Sequence, residues 1–327
     1  MDDLIKVINL KKYFPVEKSF LEKIFTRVRQ YVKAIDGISF TIKRGEIFSL
    51  VGESGCGKTT TGRTILRLIE PTEGKIFFEN IEITNIKIKE LRKLRKRMQI
   101  IFQDPYASLN PRMKIGEAVL HPLEIHGIGN KNERKEKALE MLEKVGLSPP
   151  EDFFNLYPHQ ISGGQRQRVA IARAMIVHPD FIVADEPVSM IDVSLRASIL
   201  ELMMNLKKEF NLTYLFITHD LAVAKYISDR IAVMYLGKIV EIGTKKDVFS
   251  KPKHPYTLAL LSSVPVPNPM YKSDRIILRG EVPSPINPPK GCRFHPRCPY
   301  AKEKCSKEEP ILMKTNEKHY VACHFPL

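Results

Sequence analysis

Cysteine is scarce in this chain, with five residues in 327, yet three of the five fall within "GCRFHPRCPYAKEKC", residues 291 to 305, and a fourth, Cys323, follows near the end. A chain of this length with 43% hydrophobic residues buries a core without covalent staples, so stability does not require disulfides. A secretory leader is not expected either. "MDDLIKVINL" opens with two acids where a leader carries basic residues, and no long apolar stretch follows, which predicts a chain that is not exported. No apolar run is long enough to span a bilayer. The best candidate, "HPYTLALLSSVPVPNPMY" from His254, is broken by Pro255, Pro265, Pro267 and Pro269. Acidic residues are outnumbered by basic ones, 37 to 52, for a net charge of +15. That surplus suits nucleic acid, an anionic membrane face or acidic partners, and does not choose among them. Its densest block, "KIKELRKLRKRMQ" from Lys87, spaces Ile88, Leu91, Leu94 and Met98 along one helical face, which predicts a solvated basic face on an amphipathic helix.

The informative stretch is "IFSLVGESGCGKTT", Ile47 to Thr60. Apolar and β-branched residues after the turn "RGE" predict a buried strand that runs directly into Gly52-x-x-x-x-Gly57-Lys58-Thr59, the phosphate-loop pattern in its required context. Small residues let successive backbone N–H groups point inward around phosphates, Lys58 adds a mobile positive charge, and the Thr59 hydroxyl can ligate Mg²⁺. A helix starting here aims its positive end at the same phosphates. Gly52, Ser54, Gly55, Cys56, Gly57, Lys58, Thr59 and Thr60 are therefore the expected nucleotide-binding residues. Cys56 fills a position of unspecified side chain and reads as a small loop residue.

Hydrolysis needs a metal anchor and a group that positions water. "FIVADEP" supplies a buried strand with Asp185 and Glu186 at its C-terminal edge, where ligands of parallel sheets collect. Asp185 is expected to hold Mg²⁺ and Glu186 to orient and deprotonate the attacking water. A second strand, "YLFITHD", ends at His219, a donor for the γ-phosphate or, taken alone, a structural hydrogen-bonding residue.

"ISGGQRQRVAIARAM", Ile161 to Met175, resembles the signature of ABC-type ATPases. The order of the other parts matches the same family: the loop at 52 to 59, Gln103 in "IIFQDP", Ser162-Gly163-Gly164-Gln165, Asp185-Glu186, Asp192 closing "SMID", and His219. The resemblance implies an α/β fold, a P-loop NTPase core with an α-helical subdomain, followed here by a small cysteine-rich metal-binding region. It also implies that two such domains pair head to tail, each ATP lying between one loop and the partner's Ser162, Gly163, Gly164 and Gln165. Gln103 would then sense the γ-phosphate and Mg²⁺, Asp192 would lie in the dimer seam, and His219 would act as the γ-phosphate switch. Phe14 in "LKKYFP" would stack on adenine, with Tyr13 as the alternative. Ile161 replaces the usual leucine and "SMID" departs from Ser-x-Leu-Asp, both mild changes.

Three further features resemble the ATP-binding subunits of oligopeptide and dipeptide importers, and among them the type with an N-terminal insertion: "PVEKSFLEKIFTRVRQYVK" after Phe14, "IFQDPYASLNPRMKIGEAVLHPL", and the tail "HPYTLALLSSVPVP" to "KGCRFHPRCPYAKEKC". The expected organisation is an ATP-binding domain over 1–250, with its helical subdomain near 105–175, and a Pro-rich extension over 251–327. The expected partners are a second, paralogous ATPase subunit, with a homodimer as the alternative in isolation, two permeases, and indirectly an external substrate-binding protein, at the cytoplasmic face of the membrane. Oligosaccharide or metal-complex cargo is the alternative to peptides within this family.

In the tail, Cys292, Cys298, Cys305 and Cys323 leave gaps of five, six and seventeen residues. Zinc takes tighter pairs, with His295, His319 and His324 as spare donors, and stays open; the resemblance implies a four-iron, four-sulfur cluster that clamps "VPSPINPPKG". A nucleic-acid maintenance ATPase of the same superfamily is the distant rival, but it places a long coiled coil between loop and signature. About a hundred residues without a sustained heptad separate them here. A translation-associated ABC protein would carry two cores, whereas one loop and one signature occur.

Overall fold

The computed structural model describes residues 3–16, 30–264, 276–278 and 280–327. Most of the expected N-terminal insertion, 17–29, lies outside the described residues, as does 265–275. The strands in chain order are β1 (Asp3–Pro15), β2 (Tyr31–Lys43), β3 (Ile47–Val51), β4 (Glu73–Phe78), β5 (Ile81–Glu82), β6 (Met98–Ile101), β7 (Phe181–Asp185), β8 (Thr213–Thr218), β9 (Arg230–Tyr235), β10 (Lys238–Thr244), β11 (Met313–Asn316) and β12 (His319–Val321). The chain divides into two compact units, the first comprising the described residues of Met1–Leu4, Ile42–Ile47 and Asn85–Ile217, the second those of Ile5–Thr41, Phe48–Thr84 and Thr218–Leu327.

In the first unit β6, β7 and β8 pair in parallel, with Met98 opposite Phe181 and Phe181 opposite Thr213. All five residues of β7 are buried, which is why "FIVAD" reads as a continuous apolar run rather than an alternating one. Between β6 and β7 the regular elements are helical: Pro105–Ser108, Ile115–Ile125, Lys131–Lys144, Pro150–Phe154, a single turn at Pro158–Gln160, and Gly163–Met175. Their ends are written into the sequence. The Asn130 side chain accepts from the N–H groups of Asn132 and Glu133, while Glu133 accepts from the Asn130 N–H at 2.9 Å, a reciprocal cap that starts Lys131–Lys144. Ala138, Met141 and Leu142, spaced on one face, are the residues that helix buries. Of the basic block expected as an amphipathic helix, Ile88–Arg95 is helical with Leu91 its one buried residue, Ile88 is exposed, and Met98, expected on the same helical face, instead begins β6.

The second unit holds one sheet in the order β2-β1-β4-β5 and the strand series β11-β12-β10-β9-β3. β3 runs parallel to β9, with Phe48 opposite Arg230, and its five residues are buried. β10 pairs antiparallel with β9 and β12, placing Val321 opposite Glu241. The C-terminal residues therefore extend the sheet, a role their short, mixed-polarity sequence does not announce. Tyr235, Tyr256 and Phe294 lie at the centre of this unit's core, with ring centroids 4.7 to 5.3 Å apart. Pairs at such distances prefer tilted or edge geometries, as these three do. The segment 282–291 forms neither helix nor strand, as four prolines without backbone donors dictate. Among the described residues no helix is long and apolar enough to cross a membrane.

Candidate functional site

In the second unit, β3 delivers the chain into the phosphate loop. Gly52 has φ 155°, and a Cβ there would stand 2.2 Å from the Met234 carbonyl oxygen; at Gly57, φ 107°, it would stand 2.1 Å from that of Ala34. Both positions demand glycine because backbone passes directly against them. Lys58 is 4% exposed, and its Nζ donates to the carbonyls of Gly52 at 2.8 Å and Glu53 at 2.9 Å. The Cys56 thiol is buried, and burial pushes its pKa up against the pull of Lys58. Ser54 and Gly55 are exposed, Thr59 and Thr60 half-buried. The helix Lys58–Ile65 has no side-chain cap, so its leading N–H groups are available to an anion.

In the same unit the Tyr13 hydroxyl donates to the Asp36 carboxylate, which Arg293 of the tail also grips. Burial first, then the hydrogen bond to Asp36, push the Tyr13 phenol well above its ordinary range. Phe14 is half-buried with the Lys12 ammonium 4.9 Å from its ring centroid. His219 is exposed after β8, and the next residue, Asp220, caps the helix Leu221–Ile227 by accepting from the N–H groups of Ala222 and Val223.

The first unit brings Gln103 and Glu186 together: the Gln103 amide donates to Glu186 Oε2 at 3.0 Å. Asp185, 1% exposed, ends β7. Glu186 has φ 47°, a left-handed conformation uncommon for a side chain this long, and its N–H donates to the Ile217 carbonyl at 2.9 Å. Strain of this kind gathers at functional positions. Ser162 caps the helix Gly163–Met175, accepting from the Gln165 N–H while Gln165 Oε1 accepts from the Ser162 N–H at 2.9 Å. Ser162 is exposed, a Cβ on Gly163 would meet nothing within 4 Å, and one on Gly164 would touch Leu195 at 3.0 Å. Asp192 is exposed at the start of Val193–Phe210. Near it in sequence Met190 and Val193 leave 61% and 76% of their surface open.

The four tail cysteines line one cavity, together with His254, Phe294, His295 and Phe325. All five cysteines of the chain are free thiols. Burial pushes Cys292 up to about 11 and raises Cys298 and Cys323 as well, and negative charge on neighbouring thiols would push in the same direction. Among the described residues no group of three or more His, Cys, Asp or Glu side chains could hold a metal ion as placed. His319, a spare donor by sequence, is committed elsewhere: its Nε2 lies 2.6 Å from Glu241 in a fully buried pair.

Sequence reasoning missed Glu53, Tyr256 and Arg297: at the phosphate loop the Glu53 N–H donates to the Tyr256 hydroxyl and the Glu53 carboxylate accepts from Arg297. Glu53 occupies one of the unspecified positions of the loop pattern, and its partners lie far along the chain.

Residues 35–189 match the family described as ABC transporter, and residues 240–305 match the one described as oligopeptide/dipeptide transporter, C-terminal region. The chain is 50% identical over 326 residues to the oligopeptide transport ATP-binding protein AppF of Bacillus subtilis (strain 168), covering 99% of this chain and 97% of that one. It is 51% identical to the dipeptide transport ATP-binding protein DppF of Haemophilus influenzae, covering 98% and 96%. Among solved structures it is similar to the dimeric structure of MJ0796, a bacterial ABC transporter cassette, with a TM-score of 0.65 and 33% identity over 74% of this chain and 98% of that one. A dimeric post-hydrolysis state of MJ0796 bound to ADP and Pi gives a TM-score of 0.64 at 32% identity over the same shares.

Proposed function

The chain belongs to the family of oligopeptide and dipeptide transport ATP-binding proteins, and from that premise we propose how its residues power a peptide importer. It is an ATPase subunit, and peptides are the cargo of the complex it serves. The observation that carries this reading is the end-to-end match, 99% of the chain at 50% identity, which takes in both the phosphate loop and the tail. The transport names of these relatives favour peptides over oligosaccharides, metal complexes or a nucleic-acid role.

ATP binds with its phosphates on the loop amides of Gly52 and of Ser54 to Gly57, the Lys58 ammonium and the hydroxyls of Thr59 and Thr60. Lys58 Nζ donates to two loop carbonyls, and phosphate oxygens offer the same ammonium stronger, charge-assisted bonds. Phe14, or Tyr13 in its place, stacks on the adenine. Glu186 accepts the proton of the attacking water, and Gln103, already bonded to it, holds the carboxylate in direction. His219 donates to the γ-phosphate. Ser162, Gly163, Gly164 and Gln165 close over the ATP of a partner subunit, and Gly163 suits that role because nothing crowds its open side. Asp192 lies in the same seam.

Mg²⁺, when bound, neutralises phosphate charge, and Thr59, Gln103 and Asp185 offer it the hard oxygen donors it prefers. The resemblance of the tail favours a four-iron, four-sulfur cluster there, with one zinc as the alternative. Four thiols, Cys305 buried and the other three half-buried, face a common cavity. Cys292, Cys298, Cys305 and Cys323 would hold the cluster, whose part is structural. The ATP-binding domain spans 1–250, with the helices of 105–175 as its subdomain, and the extension 251–327. The partners are a paralogous ATPase, two permeases at the cytoplasmic face, and indirectly an external binding protein.

Anaerobic co-purification of this chain with its permeases, followed by ATP turnover measured with and without peptide-loaded binding protein, tests the reading. Stimulation by peptide is expected. Stimulation by double-stranded DNA or ribosomes in the absence of permeases would contradict it.

A further inference from the structure

Four groups converge on Glu53, the residue after the first loop glycine. Its carboxylate accepts a forked pair from Arg297, Nη1 to Oε2 at 2.8 Å and Nη2 to Oε1 at 3.2 Å. Its N–H donates to the Tyr256 hydroxyl at 2.9 Å. Its carbonyl accepts from Lys58 Nζ at 2.9 Å and from the Cys56 N–H at 3.3 Å. Both outside partners come from the C-terminal extension, Tyr256 from the helix Pro255–Ser262 and Arg297 from the cysteine-rich turn.

We propose that the C-terminal extension positions the phosphate loop for nucleotide, with Arg297 and Tyr256 as positioning residues that act through Glu53. The proposal rests on the reading of Gly52–Thr60 as the ATP site. Glu53 is fixed at both its amide and its carboxylate, so the peptide plane that carries its carbonyl is fixed too, and with it the resting place of the Lys58 amine.

The geometry favours a positioning role over a surface ion pair. The Arg297 and Glu53 side chains are 9% and 29% exposed, a planar fork meets both carboxylate oxygens, and arginine keeps its charge at any working pH. Tyr256 is held rigidly by Tyr235 and Phe294, their centroids 4.7 and 5.3 Å away. The Arg297 guanidinium also lies 5.9 Å from the Tyr235 ring centroid. A loop held in place before ATP arrives loses less freedom on binding, so the effect falls on affinity. Glu53 is not a group the chemistry uses, and turnover at saturating ATP is therefore little changed.

The test is calorimetric titration of MgATP into the full-length chain, purified anaerobically, as wild type, Arg297→Gln, Tyr256→Phe, Glu53→Gln and the Glu53→Gln/Arg297→Gln double variant. Iron, zinc, sulfide and melting temperature are measured on every preparation. Arg297→Gln is expected to weaken MgATP binding about five- to tenfold and to raise KM in parallel, with kcat within about twofold. In the Glu53→Gln background it is expected to add nothing. Tyr256→Phe removes one oxygen from a buried ring and is expected to weaken binding about two- to fivefold. If Arg297→Gln does not fold, Tyr256→Phe and Glu53→Gln carry the test by the same criterion of weakened binding. Affinity within twofold of wild type in the folded variants overturns the proposal. So does an Arg297→Gln loss that is equally large without the Glu53 carboxylate, or one that tracks loss of metal or sulfide. A wild-type chain that does not bind MgATP overturns the ATP-site reading itself.

Discussion

The Gln103 amide donates to Glu186 Oε2 at 3.0 Å across a separation of 83 residues. A carboxylate held by a neighbouring amide keeps its direction, which is what a base for a single water requires. Glu186→Gln keeps the volume and removes the proton acceptor, so phosphate release is expected to fall by about 10² to 10⁴-fold while MgATP binding stays within about threefold. Gln103→Ala releases the carboxylate and is expected to lower kcat about tenfold with a smaller change in KM. Single-turnover phosphate release checks both, and an unaltered rate in Glu186→Gln would assign the base elsewhere.

Lys58 is buried with its charge resting on loop carbonyls. Lys58→Ala removes the one mobile cation of the loop, and MgATP affinity is expected to fall about tenfold or more. Equilibrium titration reads the change, and melting of the variant without nucleotide separates it from unfolding.

His254 links stability to pH. It is 1% exposed, its Nδ1 accepts from the Tyr256 N–H at 3.1 Å, and that bond requires a neutral ring. Burial lowers its pKa to about 4 against the pull of Glu241. The unfolded ring, near 6.5, takes up its proton first as pH falls, so the native state loses stability on acidification. The contribution is complete above about pH 6.5 and is lost between there and about pH 4, on the order of 3 kcal/mol in all. Urea midpoints at pH 7 and pH 5 check it. His254→Asn, which keeps a capping side chain without titrating, is expected to flatten the difference.

The cysteine cavity predicts about four irons and four sulfides per chain after anaerobic purification, both lost in Cys298→Ser. Metal and sulfide analysis decides this, and one zinc per chain in place of iron would replace the cluster with a mononuclear site.

The parts that sequence made legible are those whose chemistry is local. The spacing from Gly52 to Thr59 carries its own reason, because a phosphate loop is built from consecutive amides. The continuous apolar run of "FIVAD" likewise announces a strand buried on both faces. What escaped is what depends on distant chain. Glu53 and Arg297 are 244 residues apart, and no periodicity marks such a pair. The left-handed backbone of Glu186 was invisible because the residues that usually signal that conformation, glycine and asparagine, are absent there. The pairing of β12 with β10 escaped for a related reason. A three-residue strand has no alternation to read, and its place is set by the Glu241–His319 contact and by register with a strand some eighty residues earlier.

The most direct test of the account is uptake of a labelled peptide into liposomes that hold the assembled complex, with peptide-loaded binding protein outside and ATP supplied to this chain's side. The account predicts uptake that proceeds in step with ATP hydrolysis and stops in Glu186→Gln. ATP-driven uptake of an oligosaccharide or a metal complex, with peptide left outside, would contradict it.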